Sequence, residues 1–259
     1  MKAVDTEAIV LRTAAYSEAD RLVTYLTPAV GKLVGIARNA RSSRKRFGHC
    51  LEPCSRVTLT YKPGTGLAWL ERSQLLDAHL ALREDLPRWS YAALITEILA
   101  EMTPEGDAQE PLYLLTRSTL EQLASDPDPL NVVILFLVRF MRTMGHLPDF
   151  QQCRVCRAPL AGQGQWIWQL PEGRLLCPAH RANGSSPLEL DLGTLLLLNQ
   201  AAQLPLTRLW RLRVRKDRRQ ALRRALLEWV MAQTHRPLKT LKVVAQFERL
   251  PQPDPPGIG

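Results

Sequence analysis

The hydrophobic pattern of the chain changes its period once, near Glu84, and this change divides the 259 residues into two parts. Before it, apolar and β-branched residues alternate in short segments bounded by turn residues, which is typical of strands. The predicted strands are residues 6–12, 21–26, 31–38, 56–61 and 67–71. After it, apolar residues recur at helical spacing. The chain is therefore predicted to be an α+β multidomain protein with its strands first.

Five strands joined by close turns suit a small closed barrel. Residues 28–31 and 63–66 contain proline and glycine and join neighbouring strands as hairpins. The five-stranded OB-fold matches the strand count and commonly binds single strands of nucleic acid, although an SH3-like barrel has the same count. We predict an OB-fold domain over residues 1–80.

Helices are predicted for the rest of the chain, as a bundle domain over residues 81–250 followed by a flexible tail at 251–259. Asp85 is suited to cap the first helix. Its predicted buried side carries Trp89, Ala93, Leu94, Ile98 and Leu99. Further helices are predicted at residues 111–124, 130–144, 188–203 and 217–234. Residues 130–144 are apolar almost all round, so they are predicted to form the buried centre.

The last predicted helix is amphipathic. Its apolar side carries Leu222, Leu226 and Trp229. Its arginines are predicted to lie mostly outside, at Arg218, Arg219, Arg223 and Arg224.

A metal-ligand pattern interrupts the helices. Two residues separate Cys153 from Cys156, and the same spacing recurs between Cys177 and His180, as in structural zinc sites. Residues 165–170 and 174–176, joined by 171–173, read as a hairpin between the pairs. We predict an inserted zinc-ribbon-like module at residues 150–184 with one structural zinc ion. Four protein ligands leave no position for water, so this zinc would not do chemistry.

Other interpretations of the cysteines stay open. Cys153, Cys156 and Cys177 could be buried thiols with His180 an ordinary surface residue. A redox pair at Cys153 and Cys156 lacks the expected βαβ surroundings. Cys50 and Cys54 have no second pair at ligand spacing, so they are predicted to be packed barrel residues.

The net charge of +9 is unevenly distributed along the chain. Residues 1–80 have 12 basic and 7 acidic side chains, residues 205–249 have 13 and 3, and residues 81–204 have 9 and 14. Two basic ends would attract a polyanion such as nucleic acid, whereas the alternative is that they are solvated faces.

Two basic runs supply the candidate nucleic-acid-binding residues. The first follows the third predicted strand, where we expect a mobile loop over the binding groove. It comprises Arg38, Arg41, Arg44, Lys45, Arg46 and Phe47. Phe47 could stack on a base or pack in the core. From the second run, residues 208–224, we select Arg213, Arg215 and Arg219 as contacts for DNA or an acidic partner.

Several classes of function lack their motifs. The sequence has no phosphate-binding Gly-x4-Gly-Lys-Ser/Thr run, no Gly-x-Ser-x-Gly, no Gly-x-Gly-x-x-Gly and no His-x-Glu of a zinc deaminase. We therefore predict no catalytic residues, no small-molecule substrate and no enzyme. The longest apolar run, 132–138, is far shorter than the roughly 20 residues that cross a bilayer. With no signal-like start either, the protein is expected in the cytoplasm, near the nucleoid, with no membrane partner.

The motifs resemble those of the RecO family of bacterial DNA repair proteins, from Thr6 to about residue 250. The first is Glu-Ala-Ile-Val-Leu-Arg at 7–12, followed by Tyr-Ser-Glu-Ala-Asp-Arg-Leu-Val at 16–23. Residues 36–41 look like the family's Ala-Lys-Gly-Ala-Arg turn, with Asn39 at the usual glycine. Asparagine tolerates a positive φ, so the turn is expected to survive.

The resemblance implies an OB-fold, a helical domain and, in some members, a zinc module, where His180 takes the place of a fourth cysteine. It also implies a recombination mediator that binds single- and double-stranded DNA and anneals complementary strands. The implied partners are RecR and the acidic C-terminal tail of single-stranded DNA-binding protein, and the implied outcome is loading of RecA. The alternative is a zinc-containing RNA-binding or ribosome- or tRNA-associated module, because charge alone does not distinguish DNA from RNA.

Overall fold

The computed structural model describes residues 2–162, 164–170, 172–180, 188–234 and 237–247, including every side chain but that of Arg44. The predicted tail at 251–259, residue 171 of the predicted hairpin and residues 181–184 of the predicted zinc module lie outside the described residues. Two compact units are formed. The first contains the described residues up to Ala108 and those from Pro237 on, and the second begins at Gln109.

The first unit is built on a closed barrel. Its strands are β1 (Val4–Ala15), β2 (Arg21–Thr27), β3 (Gly31–Ala37), β4 (Arg56–Lys62) and β5 (Ala68–Asp77). They close in the order β1-β2-β3-β5-β4, with β4 pairing back to β1 and with β3 and β5 as the parallel pair. Of the two barrels that the strand count allows, this order is that of the OB-fold, so the predicted OB-fold is confirmed.

Alternation of side chains fills the barrel. Along β4, half-buried residues alternate with the buried Val57, Leu59 and Tyr61. Because successive side chains of a strand point to opposite faces, these three share a core with Val10 and Tyr25. Burial of each such side chain contributes about 1.5–3 kcal/mol. This core fixes the register of the strands that carry the candidate site.

The turn between β2 and β3 depends on glycine. Gly31 has a φ of +63°, and a Cβ added there would lie 1.9 Å from the carbonyl oxygen of Asp107. Thr27 supports the turn, since its hydroxyl donates to the carbonyl of Gly31 and accepts from the N–H of Val30. A side chain at Gly31 would therefore clash with backbone as well as strain the turn.

Within the described residues the five predicted helices are present in order with adjusted ends, together with four shorter helices that were not predicted. They are α1 (Arg44–Phe47), α2 (Leu80–Arg83), α3 (Leu86–Met102), α4 (Glu110–Ser125), α5 (Pro129–Thr143), α6 (Leu192–Gln203), α7 (Leu206–Leu209), α8 (Lys216–Gln233) and α9 (Thr240–Phe247). Asp85 caps α3 as predicted, its carboxylate accepting from the N–H of Arg88 at 3.0 Å.

The predicted buried side of α3 needs correction. Trp89 and Ala93 are only half-buried, whereas Tyr91 and Ile95 are buried. The reason is that α3 packs against β1, α2 and α9, so it is covered on more than one side. Helix α9 is tied to α3 by the carboxylate of Glu97, which accepts hydrogen bonds from the N–H groups of Lys239 and Thr240.

The second unit is centred on α5, as predicted. Every residue from Asn131 to Val138 is buried, and the helix packs against α4, α6 and α8. Leu222, Leu226 and Trp229 of α8 are buried as predicted. Arg224 is exposed as predicted, but Arg218, Arg219 and Arg223 are half-buried, which corrects the prediction that these arginines lie mostly outside. Carboxylates of the same unit hold Arg218 and Arg219 against its surface.

A small sheet lies in the second unit. The predicted hairpin is present as β6 (Trp166–Gln169) and β7 (Arg174–Leu176), and a third strand, β8 (Leu188–Leu190), pairs with β6. Residues 188–190 were expected to begin a helix, and this is corrected: the helix begins at Leu192. The cause is Asp191, whose carboxylate accepts from the N–H of Thr194 at 2.8 Å and caps α6.

No helix within the described ranges is both long and apolar enough to span a membrane.

Candidate functional site

The two predicted ligand pairs come together on turns beside the β6–β7 hairpin. After Cys156 the chain turns through Arg157, which has a φ of 58° and donates its N–H to the carbonyl of Cys153 at 3.0 Å. His180 ends a short 3₁₀ helix, Pro178–His180, and its N–H donates to the carbonyl of Cys177 at 2.9 Å. The N–H of Arg154 donates to the carbonyl of Leu175, and this hydrogen bond joins the first turn to β7.

The four ligand atoms lie within 4.8 Å of one another. Cys177 Sγ is 3.2 Å from Nδ1 of His180 and 3.8 Å from Sγ of Cys156, while Cys153 Sγ is 3.9 Å from that nitrogen. Sulfurs 3.8 Å apart are not a disulfide, which requires about 2.05 Å. Two sulfurs each about 2.3 Å from one tetrahedral zinc ion would be separated by roughly this distance. The cluster could therefore hold one metal ion.

The pKa values of the Cys153 and Cys177 thiols are shifted in opposite directions. Burial raises the pKa of Cys153, but hydrogen bonds from the backbone at Cys156, Cys177 and Val155 outweigh this and lower the pKa to about 6. Burial raises the pKa of Cys177, and the neighbouring sulfurs raise it further. Thiolates packed this closely repel one another, and a cation bound among them would remove that repulsion. Soft sulfur donors with one imidazole suit zinc among the divalent ions.

Cys50 and Cys54 are buried in the barrel unit, as predicted. Burial raises the pKa of Cys54 to about 12.

The first basic run lies between β3 and β4, where the structure differs from the loop expected there. The segment contains helix α1, capped by Ser43, whose hydroxyl accepts from the N–H of Arg46 at 3.3 Å. Asn39 has a φ of 52°, so the family turn survives its missing glycine as predicted. The exposed side chains of the run include Arg38, Arg41, Lys45 and Arg46.

Phe47 takes the second of its two predicted placements. Its side chain is only 3% exposed and belongs to the barrel core with Leu51 and Tyr61. The interpretation that it stacks on a base is corrected accordingly, because a buried ring has no free face.

Sequence reasoning missed an exposed aromatic residue beside this run. Trp69 is 41% exposed on β5, between the buried Ala68 and Leu70, and Arg38 lies over its ring. Arg21 was also missed: it pairs with Ala37 across β2 and β3, at the same end of the barrel. The alternation of β5 was the available signal, since it puts Trp69 on the outer face. In OB-folds the face of strands 2 and 3 and the loops between strands 1 and 2 and between strands 4 and 5 bind oligonucleotides. The basic run starts directly after β3, at the edge of this face.

The three arginines selected from the second basic run form ion pairs with carboxylates of their own unit. Arg213 pairs with the buried Asp126 at 2.9 Å, and Arg219 pairs with Asp128 and donates to the carbonyl of Val214. Arg215 pairs with Asp217 at 3.0 Å, but its side chain remains 66% exposed. Of the three predicted contacts, Arg215 is therefore the most accessible.

A cavity of about 560 Å³ adjoins this set in the second unit. Its apolar lining includes Leu114, Leu206 and Trp210. Its charged lining is Arg117, Arg211 and Arg213 together with Glu121 and Asp126, which pair with Arg117 and Arg213. The indole N–H of Trp210 donates to the hydroxyl of Ser118 at 2.7 Å.

The first unit is thus an OB-fold barrel with exposed basic and aromatic side chains at one end, a fold class whose members commonly bind oligonucleotides or oligosaccharides. The family model "Recombination protein O N terminal" matches residues 1–79, and "Recombination protein O C terminal" matches residues 83–242. The chain belongs to the RecO family of DNA repair proteins.

Curated relatives agree with these matches. DNA repair protein RecO of Syntrophobacter fumaroxidans is 48% identical over 95% of this chain and 98% of its own length. The proteins of the same name from Syntrophus aciditrophicus and Bacillus pumilus are 29% and 28% identical, each over 95% of this chain and at least 95% of their own lengths.

Proposed function

We propose that this protein is a recombination mediator that binds single- and double-stranded DNA and anneals complementary strands. With RecR, it helps to load RecA onto DNA coated by single-stranded DNA-binding protein. It makes and breaks no bond itself, and it acts in the cytoplasm at the nucleoid. The observation that carries the proposal is the grouping of exposed basic side chains with Trp69 at one end of an OB-fold that matches the family.

DNA binding is assigned first to the barrel. Arg38, Arg41, Arg44, Lys45 and Arg46 contact phosphates in this proposal, and Trp69 offers a base a ring to stack on. Neutralisation of phosphates on two strands lowers the repulsion that opposes annealing. Arg213, Arg215 and Arg219 are proposed as further contacts for DNA or an acidic tail, with Arg215 the most available.

The acidic tail of single-stranded DNA-binding protein is assigned to the second unit. The cavity beside Trp210 joins apolar walls to arginines. Arg117 and Arg213 already pair with acidic residues of the lining, so Arg211 is assigned to a carboxylate of the tail. Arg211→Glu should weaken binding of the tail peptide at least tenfold in fluorescence anisotropy. Arg224→Glu is the matched control, because Arg224 is exposed in the same unit but does not line this cavity.

One structural zinc ion is proposed for Cys153, Cys156, Cys177 and His180. Four protein ligands would fill a tetrahedral site and leave no position for a reactive water, which supports a non-enzymatic role. The proposed organisation is an OB-fold domain at 1–80, a helical domain at 81–250 and the inserted zinc module at 150–184. The first boundary is supported by the junction of the two family models between residues 79 and 83.

Annealing of two complementary oligonucleotides, each coated with single-stranded DNA-binding protein, tests the proposal. Wild type should accelerate annealing, the acceleration should fade with salt, and the double variant Arg41→Glu, Lys45→Glu should lose it. The control is Lys239→Glu, Lys242→Glu, which makes the same change of charge in the same unit but away from this end of the barrel.

Absence of acceleration by folded, metal-loaded wild type would contradict the mediator role. Preference of that protein for structured RNA would then favour the RNA-binding alternative.

A further inference from the structure

A second cavity lies at the basic end of the barrel and has no role in the function proposed so far. Its volume is about 530 Å³, within the roughly 300–1,000 Å³ of sites for small ligands. Its apolar lining is Ala40, Phe47 and Leu51. Its polar lining is Arg21, Arg41, Ser43, His49 and Glu52, with backbone from Gly48.

The charges of this lining favour an anion. Two arginines and one glutamate line the cavity, and within the described part of the chain neither Arg21 nor Arg41 forms an ion pair with an acidic side chain. A guanidinium group binds phosphate oxygens in a bidentate manner. Glu52 would repel a phosphate placed beside it, but a carboxylate accepts hydrogen bonds from the amino group of a base.

The walls of the cavity are held in place before any ligand arrives. The N–H of Arg41 donates to the carbonyl of Ala19 at 3.2 Å, and the N–H of Asn39 donates to the carboxylate of Asp20 at 2.9 Å. On the other side, the hydroxyl of Thr13 donates to the carbonyl of Leu51 at 2.5 Å. A preformed site loses little conformational entropy when it binds.

The apolar floor distinguishes a nucleotide from a free phosphate. Phe47 and Leu51 are almost wholly buried behind the lining, so its accessible apolar residue is the half-buried Ala40. Phosphate alone would use the two arginines and leave Ala40 uncovered, whereas the flat ring of a base would cover it. Base pairing occupies the edge of a base and stacking occupies its faces, so only an unpaired, unstacked nucleotide can enter. Trp69 lies two strands from Arg21 at the same end of the barrel, since its partner Ile36 on β3 is next to Ala37, the partner of Arg21.

We infer that this cavity holds one unpaired nucleotide of a DNA strand, with its phosphate on Arg21 and Arg41 and its base against Ala40. The inference rests on the proposed DNA-binding function and assigns to the barrel its recognition of unpaired strand. A strand held in this way presents the neighbouring bases for pairing while one nucleotide anchors it.

The test compares two ligands of equal charge: a 12-nucleotide deoxycytidine strand and a 12-unit abasic strand. Their ratio of dissociation constants isolates the contribution of bases from that of phosphates. Ala40→Phe fills the floor without a change in charge. The matched control is Ala29→Phe, in the β2–β3 turn at the opposite end of the same hairpin, where Ala29 is exposed.

Wild type should bind the deoxycytidine strand more tightly than the abasic strand. Ala40→Phe should lower this preference roughly fivefold to a hundredfold, the range for one base on an apolar or aromatic surface. Ala29→Phe should keep the preference of wild type. The salt dependence of binding should be the same in all three proteins, because the phosphate contacts are unchanged.

The possible outcomes distinguish this inference from the proposed DNA-binding function on which it rests. If wild type prefers the base-bearing strand and Ala40→Phe keeps the full preference, the cavity does not hold a base and the inference is overturned. Equal affinity of wild type for both strands overturns it without any variant, so a folding defect in Ala40→Phe cannot protect it. Failure of wild type to bind either strand would instead remove the proposed DNA-binding function.

Discussion

The guanidinium carbon of Arg38 lies 4.3 Å from the centroid of the Trp69 ring, which joins the end of β3 to the start of β5. This cation–π contact is worth about 0.5–1 kcal/mol at an exposed site and holds the arginine over one face of the indole. Trp69 remains 41% exposed, so its side chain is a ready stacking surface for a base.

Trp69→Ala should weaken binding of single-stranded DNA by about 1–3 kcal/mol, because one base loses its stacking partner. Binding of blunt duplex should change much less, since the bases of a duplex already stack on one another. Fluorescence anisotropy with both ligands checks this, and Trp69→Phe is the conservative control that should restore most of the affinity. Equal losses on single strand and duplex would show that Trp69 acts through the position of Arg38 and not by stacking.

Removal of the metal should destabilise the second unit more than the first. Zinc assigned to Cys153, Cys156, Cys177 and His180 would tie two turns to the β6–β7 hairpin, so a chelator should lower the unfolding temperature and expose thiols to alkylation. Cys156, which is exposed, should react first, while Cys50 and Cys54 stay protected in the barrel. Mass spectrometry of alkylated peptides with and without chelator measures the order of reaction.

His180→Cys is the conservative variant for the metal centre, because a thiolate is also a zinc ligand, with one negative charge more than the neutral imidazole. It should retain one equivalent of zinc by elemental analysis, whereas His180→Ala should bind zinc more weakly. Retention of full zinc affinity by His180→Ala would show that His180 is not a ligand.

Substitution of Arg213 and substitution of Arg215 should change the unfolding free energy by different amounts, although only one residue separates them. Asp126, the partner of Arg213, is only 4% exposed, so Arg213→Ala leaves a buried carboxylate without its cation and should cost about 1–3 kcal/mol of unfolding free energy. Asp126 keeps the hydrogen bond from the N–H of Asp128, which limits the cost. Arg215→Ala should change stability by less than about 0.5 kcal/mol.

Urea unfolding measures both variants of this pair. Loss of DNA or tail binding in Arg215→Ala at unchanged stability would support its role as a contact. A stability loss for Arg215→Ala equal to that of Arg213→Ala would contradict the distinction between an anchored and an exposed arginine.

The sequence predicted the barrel and the metal cluster because both depend on local patterns. Alternation specifies strands directly, and the spacing of Cys153, Cys156, Cys177 and His180 specifies a ligand set without knowledge of the fold around it. The charge runs were also visible. The location of the basic residues on one segment followed from their adjacency in the chain.

The errors arose where the placement of a side chain depends on residues that are distant in the sequence. Phe47 is buried because the barrel core accepts it, and no pattern near residue 47 distinguishes that outcome from an exposed ring. Arg213 and Arg219 are anchored by Asp126 and Asp128, which are remote in sequence. Trp69 was missed because only residues 67–71 were predicted as a strand, whereas β5 has 10 residues, and its outward position follows once the register of β5 is known.

The unfolding free energy of the second unit at acid pH should depend on Asp191, the residue that caps α6. Burial raises the pKa of Asp191, but hydrogen bonds from Thr194 and the charges of Arg218 and Arg215 outweigh it, so the pKa is lowered. A carboxyl group with a lowered pKa in the folded state contributes stability above its unfolded value, about 3.9, and this contribution is lost as the pH falls through the folded value. Asp191→Ala should therefore cost about 0.5–2 kcal/mol at pH 7.

Asp191→Asn separates the charge from the cap, since asparagine caps helices about as well as aspartate but does not titrate. The difference in unfolding free energy between wild type and Asp191→Asn should be constant from pH 7 to about 5 and should shrink as the pH falls further. Urea unfolding across this range measures it, and subtraction removes the titration of the metal centre, which both proteins share. A difference that grows on acidification would mean that the folded pKa of Asp191 is raised, and the ion pair with Arg218 would then not stabilise its charge.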